Sequence, residues 1–255
     1  MTRVAALLRK DLLDLGQNPY VLTATAVTGV LVLFIPFFVA IIVPAVAGER
    51  LSDSSDFRQA VELFRDQPAL SALDEEGVIQ AWIFQTFLAL MLLTPVAGAM
   101  SIAAYSVVGE KQARTLEPLL ATPITTYELL LAKTLAALLP ALALATVYFA
   151  IYVAAVAAAA RPGVYRALLT PQSLTIVFVL GPLAALAALQ LAICASSRVN
   201  DARTPHQIGG LIVLAIAGLL VGQVGGALLL TPATRAAIAL GLLLLDGILL
   251  WIAVT

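Results

Sequence analysis

Long apolar blocks separated by short polar stretches run the length of the chain, without the strict alternation of an amphipathic strand. A helix needs about 20 apolar residues to cross roughly 30 Å of hydrocarbon. Six blocks meet that length, at about 20–47, 78–108, 127–160, 171–196, 208–230 and 233–254. In lipid every backbone donor and acceptor must be satisfied within the protein, so spans are helices or a closed barrel, and the missing alternation favours helices. The third block is long enough to tilt or to begin outside the hydrocarbon. Pro36, Pro44, Pro95, Pro140 and Pro182 fall inside the blocks. Each removes a backbone donor and is expected to kink its helix.

Ahead of the first block, the stretch from Ala5 to Leu15 places Leu8, Leu12 and Leu15 on one helical face, with Leu7 and Leu13 beside it. Arg9, Lys10 and Asp14 lie elsewhere. This pattern predicts an amphipathic helix lying in the membrane interface, ended by Gly16 and the Asn18-Pro19 turn. Residues 1–19 then form an N-terminal interfacial element, and 20–255 a six-helix transmembrane domain. The expected class is an all-α integral membrane protein.

Composition agrees with that reading. Hydrophobic residues make up 62% of the chain and charged residues 11%, where a soluble domain carries about 25% charged. A net charge of −1 points neither to nucleic acid nor to an acidic substrate. Cys194 is the only cysteine, so no internal disulfide can form. Arg3, Arg9, Lys10, Asp11 and Asp14 are interleaved with leucines, unlike a signal peptide, whose basic residues precede one unbroken apolar core. With the N-terminus inside, Arg3, Arg9, Lys10, Lys111, Arg114, Lys133, Arg198 and Arg203 fall on the cytoplasmic side. The outer segments hold Arg50, Arg58, Arg65, Arg161, Arg166 and Arg235. This bias is slight, but it and the basic N-terminal segment place both termini in the cytoplasm of a multi-pass cell-membrane protein.

Two connections are long. The first, Gly48–Gly77, is acid-rich, and Phe57, Val61 and Phe64 within it suggest a short amphipathic helix near the membrane surface. The second runs from Gly109 as Gly-Glu-Lys-Gln-Ala-Arg-Thr-Leu-Glu-Pro-Leu-Leu-Ala-Thr-Pro-Ile-Thr-Thr-Tyr-Glu-Leu-Leu-Leu-Ala-Lys, ending at Lys133. A charged cluster of Glu110, Lys111, Arg114 and Glu117 meets an apolar patch of Leu116, Leu119 and Leu120. Pro118 can open a helical turn, where its missing donor is harmless, and Pro123 turns the chain again. A short element of this kind suits docking to a soluble partner, with leucines as anchor and charges to fix register. An ordinary packed loop would serve equally well on these grounds alone.

This stretch resembles the hallmark of type-2 ABC transporter permeases, in which a Glu-Lys/Arg cluster runs into Thr-Leu-Glu-Pro-Leu-Leu-Ala-Thr-Pro and then an acidic-Leu-Leu-x-x-Lys helix. The likeness is close over about Val108–Lys133, and the Lys-Asp-Leu-Leu of the N-terminal helix and the six-span plan agree with it. It implies that the chain dimerises with its twin or a relative and that each subunit docks an ATP-binding subunit. Residues 109–126 would be the coupling helix, with Glu110, Lys111, Arg114, Thr115, Leu116, Glu117, Pro118, Leu119, Leu120, Thr122 and Pro123 meeting the ATPase. Residues 197–207, with Arg198, Asp201, Arg203 and His206, would make a smaller contact. Family members commonly carry a basic tail after the last span, whereas this sequence ends at Thr255. The chain has no Gly-x-x-x-x-Gly-Lys-Ser/Thr phosphate loop. It is therefore expected to be no enzyme itself and to bind no cofactor directly, with ATP and magnesium held by the partner ATPase.

Polar residues inside the blocks are the remaining candidates. Asp246 lies in the sixth, near the bilayer midplane, where a carboxylate costs roughly 2.5–3.5 kcal/mol. With Gln190 and Gln223 it is a candidate for the substrate path, against the plainer reading of helix-to-helix hydrogen bonding. Gln85 reads as packing. Gly218, Gly222 and Gly226 are spaced four apart and allow close approach of another span or of a dimer mate. His206, Cys194 and the methionines form no metal-ligand pattern, and no nucleophile–base arrangement is present. An ion-coupled secondary transporter using Asp246, or a membrane-embedded assembly factor, is the alternative to an ATP-driven exporter.

Overall fold

The computed structural model describes residues 3–16, 19–53, 57, 73–112, 125–196, 203–224 and 230–254. Six helices within it are long and apolar enough to cross a membrane: Thr25–Ala47, Glu75–Ala103, Tyr127–Ala159, Pro171–Ala195, Gln207–Val224 and Pro232–Ala253. The described residues contain no strand. A separate helix, Arg3–Gly16, precedes the first span.

The spans are not equivalent. The second is 83% buried and the fourth 67%, while the other four fall between 11% and 22%. Spans two and four therefore pack against each other at the centre. Spans one and three flank the second, and span six lies along the fourth. Small residues are buried on both of these spans. Ala184, Ala188 and Ala192 recur every four residues on span four, and Ala99 and Ala103 lie four apart on span two; all are buried. Small side chains let backbones approach, which matters in lipid because apolar burial alone gives little drive between helices. The outer spans keep apolar faces exposed, as at Val30, Leu31 and Phe34 of the first and Leu240, Leu243 and Leu244 of the sixth. Such faces match a hydrocarbon surround.

Close approach also occurs at three glycines that carry no spacing signal. A β-carbon at Gly29 would strike the Tyr148 ring. One at Gly98 would lie 3.2 Å from Ala141, and one at Gly209 would lie 2.9 Å from Met100.

Prolines shape the spans unevenly. Pro44 and Pro182 are each preceded by a wide π turn, Phe38–Ile42 and Ile176–Leu180. In each, the backbone amide closing the turn reaches back five residues, from Val43 to Phe38 and from Gly181 to Ile176. The ring at position i deprives carbonyl i−4 of its donor, and one widened turn relieves the clash. Ahead of Pro95 the helix instead tightens and breaks at Phe87 and Leu92, with Leu90 N donating to Phe87 O at 2.9 Å. Pro140 lies inside the continuous helix Thr126–Ala159.

Polar ties gather at the end of the bundle opposite the N-terminal helix. Arg161 N donates to Gln80 Oε1 at 2.9 Å, and Tyr152 Oη donates to Phe84 O at 2.9 Å. Gln85 Nε2 lies 3.3 Å from Ser173 Oγ and 3.4 Å from Thr170 Oγ1, so Gln85 joins span two to the start of span four. In the first long connection, Glu76 accepts from Leu51 N and Ser52 N, and the Phe57 ring meets Trp82 edge-on at 6.0 Å. Val61 and Phe64, the rest of the expected amphipathic helix there, lie outside the described residues.

Candidate coupling face

Two helices frame the charged second connection. Span two continues as helix to Gln112, four residues past the apolar block that ends at Val108. At 1.5 Å per residue that is about 6 Å of helix beyond the apolar block. Glu110 and Lys111 lie on this extension; their side chains are outside the described set. Arg114, Thr115, Leu116, Glu117, Pro118, Leu119, Leu120, Thr122 and Pro123 lie outside the described residues altogether.

The return into span three is tightly capped. Thr125 has extended backbone, and its Oγ1 accepts from Glu128 N at 3.2 Å. Glu128 Oε2 accepts in turn from Thr125 N at 2.9 Å. The pair is a capping box that satisfies two of the donors a helix start leaves open. Thr125→Ala is expected to cost about 1 kcal/mol, seen as faster amide hydrogen exchange confined to the first turn, residues 126–129. Unchanged exchange there would sink this account of the cap.

Two turns further, Lys133 turns inward. Its side chain is 6% exposed and its Nζ lies 3.7 Å from Asp11 Oδ2 of the N-terminal helix, where Asp11 is 10% exposed. Lys10 approaches the same carboxylate at 3.6 Å from a more open position. Leu7 is buried, whereas Leu12 and Leu13 are exposed. The N-terminal helix thus turns Leu7 and Asp11, one turn apart, toward span three. The leucine-rich face around Leu12 is not its face toward the bundle. Asp11 and Lys133 sit in the two stretches whose pattern is distinctive, yet their pairing carries no local signal, because they are 122 residues apart in sequence.

The intramembrane candidates fall into a different region. Asp246 is 6% exposed and Gln190 7%. Neither Asp246 oxygen, nor Gln190 Oε1, has a hydrogen-bond partner. Asp246 is fourteen residues from Pro232 and seven from Ala253 within the helix Pro232–Ala253. Gln223, on span five, is half-buried, and its Oε1 is likewise unpartnered. Nothing among the described residues lies within 4 Å of a β-carbon built at Gly218, so that glycine makes no close approach to them. Gly222 lies in the same helix, Leu211–Val224, and Gly226 lies outside the described residues.

The family model of ABC-2 family transporter proteins matches residues 7–250, nearly the whole chain. The chain belongs to the ABC-2 transporter family. No curated protein and no solved structure matches it. As an ABC-2 chain it is the multi-pass membrane component of an ABC transporter, and the family implies association with an ABC ATPase. In sequence, the helix running to Gln112 and the capped start at Thr125 flank the Glu117-Pro118 motif of this ABC-2 chain.

Proposed function

We propose that the chain is the permease subunit of an ABC exporter, energised by a separate ATPase docked on residues 109–126, with both termini in the cytoplasm and a second permease subunit completing the pathway. The observation that carries this reading is the match of the ABC-2 family over residues 7–250, which includes the whole charged connection. The framing of that connection supports it. A rigid lever needs fixed ends, and one end here is helix continuous with the central span, while the other is a capped helix start. Span three is about 50 Å long at 1.5 Å per residue, about 20 Å more than the hydrocarbon. Its excess suits a stalk that leaves the bilayer beside the coupling segment. The N-terminal helix, with Leu12 and Leu13 exposed, suits the membrane interface.

In this mechanism the ATPases hold ATP and magnesium, and closure of their dimer pushes residues 109–126. The push passes into spans two and three, and through Lys133 and Asp11 into the N-terminal helix. Leu116, Leu119 and Leu120 serve as anchors, while Glu110, Lys111, Arg114 and Glu117 fix the register. Gly218 is open among the described residues and could pack against the second permease subunit.

Purification of the tagged chain from its native membranes in mild detergent, with mass spectrometry of stoichiometric partners, tests this. A soluble nucleotide-binding protein is expected with the wild type. A Glu117→Arg, Leu119→Asp variant should retain it about thirtyfold less, the change that a 2 kcal/mol hot-spot loss produces. Wild type that comes down without any nucleotide-binding protein would remove the ATP-driven reading and leave an ion-coupled transporter centred on Asp246.

A further inference from the structure

Spans four and six run in the same direction, since one span separates them, and they pack along each other. Their register is fixed near one end, where the Cys194 thiol lies 3.9 Å from Leu249 O. One turn back from that contact, span four presents Gln190 and span six presents Asp246. Both side chains are more than nine-tenths buried, and they leave three acceptor oxygens without a donor: both of Asp246 and the Oε1 of Gln190.

Three unpartnered acceptors at one level of a helix seam are the complement of a positive charge. A carboxylate left bare in a span costs roughly 2.5–3.5 kcal/mol, and buried charges persist only when paired or neutralised. Among the described residues of spans four and six, no countercharge stands nearby; the helix Arg203–Gly209, which also packs against span four, carries Arg203 and His206, whose side chains lie outside the described set. Span four, Pro171–Ala195, carries no charged residue, and the titratable group it turns toward this seam is Cys194. Within span six the other charged group is Arg235, eleven residues away, about 16 Å along the axis. Arg235 donates its Nε to Thr231 O at 3.4 Å. One carboxylate and one amide oxygen neutralise a single positive charge, whereas a divalent ion would remain half-compensated.

We propose that Asp246 and Gln190 form an intramembrane site for one monovalent cation, a proton or an alkali metal ion. The site is separate from the coupling face and does not depend on how the ATPase docks. It gives the chain a charge-bearing group that changes state within the span 4–span 6 seam.

The test uses the full chain in lipid nanodiscs and dicyclohexylcarbodiimide, a lipophilic reagent that adds to a protonated carboxyl in apolar surroundings. Peptide mapping is expected to find the adduct on Asp246, and none there in Asp246→Asn. Labelling should fall with rising pH, by about tenfold per unit once the carboxyl titrates. At fixed pH, protection by sodium, lithium or potassium chloride, with choline chloride inert, identifies an alkali-ion site. Dependence on pH alone identifies a proton site. Gln190→Leu should displace the pH midpoint or abolish the salt protection, while the chain still elutes as a single species on size exclusion. Asp246 that is unlabelled at every pH, or labelled equally at every pH and salt, overturns the proposal. A Gln190→Leu variant with an unchanged profile also overturns it, because the two-residue site would not exist.

Discussion

Lys133→Ala is expected to destabilise the protein by about 3 kcal/mol, the lower end of the cost of stripping one partner from a buried ion pair. The geometry sets that magnitude. Lys133 and Asp11 are both nearly sequestered, 3.7 Å apart, so removing the ammonium leaves a carboxylate with little access to water. Lys10, 3.6 Å from the same carboxylate, offsets part of the loss, which is why the lower end applies. Asp11→Asn in the same chain should restore most of the stability, since it removes the stranded charge. Melting of the purified chain in detergent checks both variants. The double variant melting no higher than Lys133→Ala would mean that the pair does not carry the effect. The same variants bear on the proposed coupling. With the N-terminal helix unpinned from span three, ATP hydrolysis by the assembled transporter should respond less to substrate, and the double variant should not recover that response fully.

Phe84→Ala is expected to cost about 3 kcal/mol, the low end of the range for this truncation in a soluble core. Phe84 is fully buried on span two, 5.0 Å from the Phe37 ring of span one and 6.0 Å from the Tyr152 ring of span three. Phe37 and Tyr152 also meet edge-on at 5.9 Å. The three rings lock three spans together, and the Tyr152 hydroxyl on Phe84 O fixes their level. The low end applies because separated helices remain in hydrocarbon, so the loss is packing rather than transfer from water. Phe84→Leu, which keeps most of the volume, should lose less than about 1.5 kcal/mol. Equilibrium unfolding in mixed micelles, read by tryptophan fluorescence, measures both. A change below about 0.5 kcal/mol for Phe84→Ala would place the aromatic cluster outside the energetic core.

What could be read from the chain, and what could not, divides along the range of the interactions. Helix-forming apolar blocks are a local property, and lipid punishes any unsatisfied backbone, so six spans follow from the sequence with little freedom. The Thr-Leu-Glu-Pro-Leu-Leu-Ala-Thr-Pro stretch is likewise local, and it carried the resemblance that the family match bears out. The prolines were partly legible. Pro44 and Pro182 distort the turn before them as their chemistry requires, but the form of the distortion depends on neighbours. Tertiary structure alone decided which spans are central, because every span is apolar and only packing tells a lipid-facing stripe from a buried one. It buried the four-residue alanine spacing of span four and left Gly218 open among the described residues. It turned Asp11 toward Lys133 and buried Asp246 and Gln190 without hydrogen-bond partners for their acceptor oxygens. The Asp11–Lys133 pairing joins helices far apart in sequence, and in a chain with few charges such a partner is specified by where two backbones come together, which no local pattern of side chains encodes.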